Sequence, residues 1–313
     1  MSRKIEEQLE KIPVIKWLIQ LGKTIKIPGL EGMSLYDVLE MYVLGIVKGA
    51  LTTRAGGIAF SFFMAIFPFM LFILTLIPYL PIDGFQEGLF SLIQEALPPK
   101  TFNAVDGVLN DILNNQYGGL LSFGFLASIF LMTNGVNAIF GGFEYSYHVK
   151  EYRNIVKAYM ISLGVSLLMS FFLITTVVFV ILYQVALAKI DEKGWFNTND
   201  LDLFYYGRGF LFLLMIFTIV SLLFRYGTKQ GKEVRFFSPG AILTTVVSMF
   251  TFYLFGIYVV KFAKYNQLYG SIGTLLILML FVWLNAIILL LGFELNATIY
   301  QLKRKNKASK IAD

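Results

Sequence analysis

The carboxylate of Glu294 follows one of the most apolar runs in the chain, LLLGFELNA at residues 289–297. A carboxylate inside a membrane can relay protons or bind a coupling ion, and otherwise it needs a cation beside it, because a lone charge in hydrocarbon is costly. A spanning helix that starts near residue 271 uses its roughly 20 apolar positions by about residue 291, so Glu294 should lie near a membrane rim. Arg54 enters the first apolar run at the same depth. We predict a partly buried ion pair between Arg54 and Glu294, with a transport role for Glu294 as the alternative.

Amide side chains occur inside two other apolar segments. Asn134 and Asn137 lie three residues apart in LMTNGVNAIFGG, and Asn285 lies in the last apolar segment. An amide without a hydrogen bond is costly in hydrocarbon, so these side chains need partners. We expect hydrogen bonds between helices as their main role and contact with a substrate as the alternative.

The first apolar segment, RAGGIAFSFFMAIFP, carries a row of small or polar residues at helical spacing. The residues on this face are Arg54, Gly57, Ser61, Ala65 and Pro68. Small residues let another helix approach closely, so a packing seam is the first interpretation and a polar groove is the second. Pro68 removes one backbone hydrogen bond and predicts a bend, which could act as a hinge.

Hydrolytic chemistry has little support in the residue inventory. The only histidine is His148, in the loop EYSYHVKEYRN, and the chain has no cysteine, so one chain offers neither a two-histidine zinc site nor a thiol nucleophile. Glu144 and Glu151 share that loop, but three such groups in a short basic loop more often form a solvated interface. The sequence also lacks the GxxxxGK and GxSxG motifs. We expect no enzymatic activity, no metal and no cofactor.

The elements that must position these residues are membrane spans. Of the 313 residues, 57% are hydrophobic and 15% are charged, whereas soluble domains carry about 25% charge. Several apolar stretches reach the roughly 20 residues that a helix needs to cross a bilayer. We predict an all-α polytopic membrane protein with six transmembrane helices and additional amphipathic interfacial helices. The predicted spans are 55–80, 119–140, 158–188, 203–225, 238–262 and 271–296.

Basic residues predict the orientation of these spans. The segments 1–54, 141–157, 225–237 and 300–313 contain 20 of the 26 Lys and Arg residues, and the alternate segments contain 5. Loops rich in Lys and Arg remain cytoplasmic. We therefore predict a protein of the bacterial cytoplasmic membrane with both termini cytoplasmic. The N-terminus lacks the pattern of a cleaved signal peptide.

Amphipathic segments flank the spans on both sides. Segment 81–118 shows two short helical patterns broken at LPPK, which suit the outer membrane surface. SLYDVLEMYVLGIVKGA predicts an inner-surface helix that leads into the first span. We divide the chain into a cytoplasmic segment 1–54, a six-span domain 55–300 that includes 81–118, and a basic tail 301–313. The tail suits contact with anionic lipid, and we expect no binding of nucleic acid.

Three sequence blocks resemble the YihY/BrkB family of bacterial inner-membrane proteins, once given the name ribonuclease BN. They are RAGGIAFSFFMAIFPFMLFIL, FEYSYHVKEYRN, and the long block from SPGAIL through YGSIG to GFELNA. The similarity covers about residues 35–300, and the third block is the specific one. The family positions matched here are Arg54, Pro68, Tyr147, Glu151, Arg153, Pro239, Gly240, Tyr269, Gly270, Ser271, Gly273, Glu294 and Asn296.

The resemblance implies a six-span inner-membrane protein linked in some bacteria to virulence or envelope traits. Its relatives more often carry Asn where this chain carries Glu144. The residue inventory gives a separate physical reason to distrust the ribonuclease name.

We form three hypotheses of function. The first is a transporter or flippase that moves a lipid or another envelope-related amphiphile along a groove between the first and last spans. Membrane lipids and an amphiphilic substrate are the partners it implies. The second is a non-transporting structural or assembly factor, and the third is a membrane hydrolase. The sequence carries no ATP-binding signature, so transport would be passive, ion-coupled or driven by a partner.

Overall fold

The computed structural model describes residues 24, 34–80, 84–96, 99–191, 201–261 and 271–312. Within these ranges the chain is helical and contains no strand, which confirms the predicted all-α class. The helices are α1 Leu35–Lys48, α2 Leu51–Leu76, α3 Phe85–Ala96, α4 Pro99–Asn114, α5 Gly118–Glu144, α6 Ile155–Asp191, α7 Leu201–Tyr226, α8 Pro239–Lys261 and α9 Ser271–Ala312. Short 3-10 helices occupy Ile77–Tyr79 and Gln230–Glu233.

Six of the described helices are long and apolar enough to cross a bilayer, as predicted. The first to sixth spans lie in α2, α5, α6, α7, α8 and α9. The largest difference from the predicted bounds is at the C-terminus, where α9 continues without a break to Ala312. Residues 301–312 therefore extend the sixth span as a helix rather than forming a separate tail.

The six spans follow one another around a ring. Each span packs on the spans before and after it in the chain, and the sixth span packs on the first. The first and second spans share the most extensive contact. The prediction that the first and sixth spans are neighbours is therefore correct.

The buried core lies at one end of this ring. We call it the basic end, because it carries the loops 145–154 and 227–238 with their Lys and Arg residues. Here Phe143 stacks on Phe293 with ring centroids 4.2 Å apart, and Phe224 lies edge-on to Phe143 at 5.6 Å. These three rings join the second, sixth and fourth spans. Around them lie further buried apolar residues from all six spans, among them Ala55, Ile58, Phe140, Val165, Ala241 and Leu290.

The opposite end, which we call the acidic end, carries α3 and α4. The two helices confirm the amphipathic pattern predicted for segment 81–118. Their apolar faces are buried in a separate cluster, in which Phe85, Leu89 and Leu113 meet Ile77 and Ile181. The helices therefore pack on the ends of the first and third spans and cover that side of the ring.

The halves of the fourth, fifth and sixth spans nearer the acidic end expose large apolar side chains. These include Phe210, Phe212, Leu213, Leu214, Phe250, Tyr253, Leu254, Leu275 and Leu276. None of these belongs to a buried cluster of the described residues. Among the described residues, the buried core shared by all six spans therefore lies at the basic end.

Glycines of the second span, rather than the predicted seam of the first, bring these two helices together. A Cβ on Gly124, Gly135 or Gly142 would touch the first span, and the nearest atom at Gly142 is Ile58 Cδ1 at 2.8 Å. Gly57 of the first span is instead exposed, with open space where its Cβ would be. The predicted small-residue face is therefore wrong as a seam at Gly57.

The fifth and sixth spans cross where Gly240 faces Gly292. A Cβ on Gly240 would overlap the carbonyl oxygen of Gly292 and lie 2.6 Å from Asn296 Cγ. We expect Gly240→Ala to lower the free energy of unfolding by about 1–3 kcal/mol, because a backbone oxygen cannot rotate away. The measurement is the midpoint of an SDS unfolding titration. The control is Gly256→Ala in the same helix, which has open space at its Cβ and should be neutral or slightly stabilising. Equal midpoints for the two variants would contradict the crossing.

Candidate functional site

The predicted ion pair between the first and sixth spans is present, with Glu294 fully buried and Arg54 partly buried. Arg54 Nη2 lies 2.7 Å from Glu294 Oε1, and the side chains are 6% and 0% exposed. Helix α1 and the loop 145–154 cover the pair.

Arg54 also joins the second span to this pair. Its Nη1 donates to the carbonyl oxygen of Gly142 at 2.7 Å. The guanidinium therefore connects three spans, and its planar fork of donors suits simultaneous contact with a carboxylate and a carbonyl. Its Nε has no hydrogen-bond partner in the described part of the chain.

The loop after the second span supplies the other contacts of Glu294. Ser146 Oγ donates to Glu294 Oε2 at 2.8 Å, and the backbone N–H of His148 donates to Ser146 Oγ at 3.2 Å. Both carboxylate oxygens thus have a charged or polar donor. We call Arg54, Ser146, His148 and Glu294 the basic-end cluster.

His148 is buried, with 1% of its surface exposed. Its Nε2 lies 3.0 Å from the carbonyl oxygen of Met41, and Gln301 Nε2 donates to the His148 carbonyl at 2.7 Å. A carbonyl oxygen only accepts, so the first contact places a proton on Nε2. The expectation of a solvated loop is wrong for His148, because this residue ties α1 to α9.

Helix α1 covers the basic-end cluster. Ser34 begins the helix with a capping box to Asp37, which fixes its first turn. A Cβ on Gly45 would lie 2.7 Å from His148 Nε2 and 2.9 Å from Glu294 Oε2, so only glycine allows this approach. Burial raises the pKa of the Tyr42 hydroxyl above its ordinary value, and the charge of Glu294 raises it further.

Asn296, two residues beyond Glu294, holds the start of the fifth span. Its Oδ1 accepts from the backbone N–H of Gly240 at 2.9 Å, and its Nδ2 donates to Ser238 Oγ at 2.9 Å. Ser238 also accepts from the backbone N–H of Ala241 at 3.3 Å. This arrangement satisfies donors that a helix N-terminus leaves free. Ser-Pro-Gly is a recognisable helix start, whereas no sequence pattern pointed to Asn296 as its partner.

The second cytoplasmic loop predicted from the sequence contains Glu151 and Arg153, and the two have different surroundings. The Arg153 guanidinium donates to the carbonyl oxygens of Tyr226 and Thr228, at the end of the fourth span. Cations are favourable at a helix C-terminus, where carbonyl groups are unpaired. Glu151 is exposed and lies outside the basic-end cluster.

The remaining predicted positions do not join the cluster. Asn137 accepts from Ser162 Oγ at 3.3 Å, which is the expected bond between two spans. Asn285 donates instead to Phe281 O in its own helix at 2.8 Å. Asn134 is half-buried and makes no side-chain hydrogen bond within the described ranges, and Pro68 lies inside the continuous helix α2. Tyr269 and Gly270 lie outside the described residues.

Two residues of the basic-end cluster were not predicted to act there. Ser146 carries no recognisable motif, and His148 was judged from its basic neighbours alone. The described residues contain no group of three or more His, Cys, Asp or Glu side chains that could hold a metal ion. The cluster can hold three spans, one loop and α1 together, and the Arg54–Glu294 pair is its link between the first and sixth spans.

Comparison with known proteins places this sequence in a family. The model of the family described as Virulence factor BrkB matches residues 45–312. The "Putative ribonuclease-like protein YfkH" of Bacillus subtilis (strain 168) is 31% identical over 259 residues, which are 80% of this chain and 91% of that protein.

More distant relatives carry membrane-protein names. The "UPF0761 membrane protein Smlt0865" of Stenotrophomonas maltophilia (strain K279a) is 24% identical over 78% of this chain and 56% of its own length. A "UPF0761 membrane protein" of Coxiella burnetii (strain Dugway 5J108-111) is 25% identical over 79% of this chain and 87% of its own length. No solved structure matches significantly. With six apolar helices and a family match over most of its length, this chain belongs to the BrkB virulence factor family of multi-pass bacterial membrane proteins.

Proposed function

We propose that the protein moves or flips an amphiphile, such as a lipid, across the cytoplasmic membrane. In this proposal the basic-end cluster is a gate. It closes the ring at the basic end, and separation of the first and sixth spans lets the substrate pass.

The observation that carries the proposal is the position of the described core. The buried residues shared by all six spans lie at the basic end, where the ion pair joins the first and sixth spans. A core and an ion pair at one end of the ring support a gate at that end.

A crevice between the third and fourth spans supports a lateral route for the substrate. It has a volume of about 210 Å³. It is lined by Phe172, Thr175, Thr176, Phe179, Leu211, Leu214, Met215 and Thr218. A mainly apolar wall with a few hydroxyl groups suits an acyl chain next to a polar headgroup. The groove that we expected between the first and sixth spans is closed at the basic end by the ion pair, so this crevice replaces it as the entry site.

We expect Leu214→Trp to slow lipid exchange at least several-fold, because the indole fills the crevice. The measurement is the transbilayer exchange of a headgroup-labelled lipid in liposomes that contain the purified protein. The matched control is Leu167→Trp, because Leu167 has similar exposure, 45% against 48% for Leu214, and lies outside the crevice.

Two results would contradict the transport proposal in different ways. Exchange no faster than in empty vesicles would exclude transport of the lipid tested and favour a structural or assembly role. That alternative has one observation in its favour, the dense hydrogen bonding of the basic-end cluster. Equal slowing by both tryptophan variants would exclude the crevice as the route.

We also propose that the protein is not a hydrolase. His148 is 1% exposed and its Nε2 contacts the Met41 carbonyl oxygen of α1, so a substrate in solution does not reach it. Glu144, the last residue of α5, accepts a long hydrogen bond from the backbone N–H of Arg153 at 3.4 Å and does not contact His148 in the described hydrogen bonds. RNA hydrolysis that survives purification and disappears in Glu151→Ala would contradict this proposal.

A further inference from the structure

A second, separate cavity opens at the surface of the basic end. It is a crevice of about 540 Å³, within the range of roughly 300–1,000 Å³ typical of ligand sites. Its walls come from the loop 145–154, the turn after the fourth span and the extension of α9. The lining residues are Glu151, Lys229, Gln230, Glu233, Tyr300, Lys303 and Arg304.

Charges of both signs face this crevice. Lys229, Lys303 and Arg304 are cations, and Glu151 and Glu233 are carboxylates. No two of these five described side chains form an ion pair, and the ion pair found within the described ranges is that of Arg54 and Glu294. Opposite charges thus line a volume that a small ligand can enter, without forming ion pairs with one another.

The wall that carries Lys229 and Glu233 is fixed in place. Arg153 donates to the carbonyl oxygens on either side of Gly227, and the backbone N–H of Gly231 donates to Thr228 Oγ1 at 3.1 Å. A Cβ on Gly231 would lie 2.7 Å from the carbonyl oxygen of Arg225. The turn is therefore held against the end of the fourth span. A preorganised wall lowers the entropy cost of binding.

We propose that this crevice binds a zwitterionic group that contains a phosphate and a primary ammonium, such as phosphoethanolamine. The three cations suit the phosphate, and the two carboxylates suit the ammonium. A phosphate alone would meet two repelling carboxylates, and an amine alone would meet three repelling cations. The group can come from a lipid headgroup or from a free metabolite of the same chemistry. The inference is independent of transport, because binding requires no movement of the spans.

The test is calorimetric titration of the purified full-length protein in detergent with phosphoethanolamine. Phosphoethanolamine should bind at least about tenfold more tightly than inorganic phosphate or ethanolamine alone, because each of these makes only half of the contacts. Lys303→Gln and Glu233→Gln should each weaken binding about tenfold. The control is Lys150→Gln, an exposed cation of the loop 145–154 that does not line the crevice.

The outcomes distinguish a lipid headgroup from a soluble ligand, and a wrong ligand from a wrong binding location. Competition by phosphatidylethanolamine in mixed micelles, but not by phosphatidylglycerol, would identify a lipid headgroup, and its absence would identify the soluble molecule. If the parent protein does not bind phosphoethanolamine, or binds inorganic phosphate equally well, the proposal is overturned. Unchanged affinity in both crevice variants would overturn the location. A lowered midpoint in an SDS titration would reveal a variant that is less stably folded. In that case the affinities of the parent protein for phosphoethanolamine, inorganic phosphate and ethanolamine would test the proposal.

Discussion

Replacing Glu294 with alanine is expected to lower the free energy of unfolding by about 3–5 kcal/mol, because it leaves a charged guanidinium buried without a counter-ion. Arg54 cannot escape to water, since its side chain is 6% exposed and also bound to the second span. Ser146 loses its acceptor in the same variant. The midpoint of an SDS titration measures the effect. The control is Glu151→Ala, an exposed carboxylate whose loss should change stability by no more than about 0.5 kcal/mol.

A double-mutant cycle separates the pair from its neighbours. Arg54→Met alone leaves the Glu294 carboxylate buried, and Glu294→Leu alone leaves the Arg54 guanidinium buried. The double variant removes both charges. We expect it to be markedly less destabilised than the sum of these two single variants. Additive effects would mean that the two side chains do not interact.

Charge reversal is an incomplete test of the pair. Exchanging Arg54 and Glu294 would restore the pair with its charges swapped. The structure shows that Arg54 also donates to the Gly142 carbonyl, a group that a carboxylate at position 54 would repel. We therefore expect the double reversal to recover only part of the lost stability, while still exceeding the worse single reversal.

The helical elements were predictable because the membrane imposes strong rules on composition. Apolar length fixed the number of spans, and amphipathic spacing fixed α3 and α4 on the acidic side. The bound of the sixth span was missed, because basic residues such as Lys303 mark a membrane rim but do not end a helix. Which glycines bring helices together was also missed. Gly57 and Gly142 look alike in sequence, and only the neighbouring helix determines which one is a contact.

The candidate site was predictable only in its charged half. Glu294 and Arg54 could be paired, because the cost of burying a charge restricts its partners. Ser146 and His148 could not be placed, since a short loop has no periodicity that predicts which residues fold inward. The same limit applies to the crevice between the third and fourth spans, whose lining residues resemble any other lipid-facing apolar residues in the sequence.

A reversible bridge between the first and sixth spans is expected to stop lipid exchange almost completely. Ile58 of the first span and Leu290 of the sixth are both buried. Both side chains lie beside Gly142, since a Cβ there would lie 2.8 Å from Ile58 Cδ1 and 3.4 Å from Leu290 Cδ2, so they are close to each other. The chain has no cysteine, so Ile58→Cys with Leu290→Cys introduces the only two thiols. A short reducible bifunctional thiol reagent can then join them. If the gate opens by separation of these spans, the bridge holds it closed.

The matched control bridges the first and second spans, which share the most extensive contact and should move together. A Cβ on Gly135 would lie 3.2 Å from Phe62 Cδ2, so Phe62→Cys with Gly135→Cys places two thiols across that seam. This bridge should leave exchange unchanged. Any loss caused by the reagent itself would then appear in both proteins, and exchange before bridging measures the effect of each pair of substitutions.

The most direct measurement of the gate is therefore headgroup-labelled lipid exchange in liposomes before bridging, after bridging and after reduction. We predict rapid exchange, then loss of exchange with the bridge between positions 58 and 290, then recovery when a reductant cleaves it. Unchanged exchange in protein that is fully bridged at these positions would contradict a gate between the first and sixth spans. Absence of exchange before bridging would contradict transport of that lipid altogether.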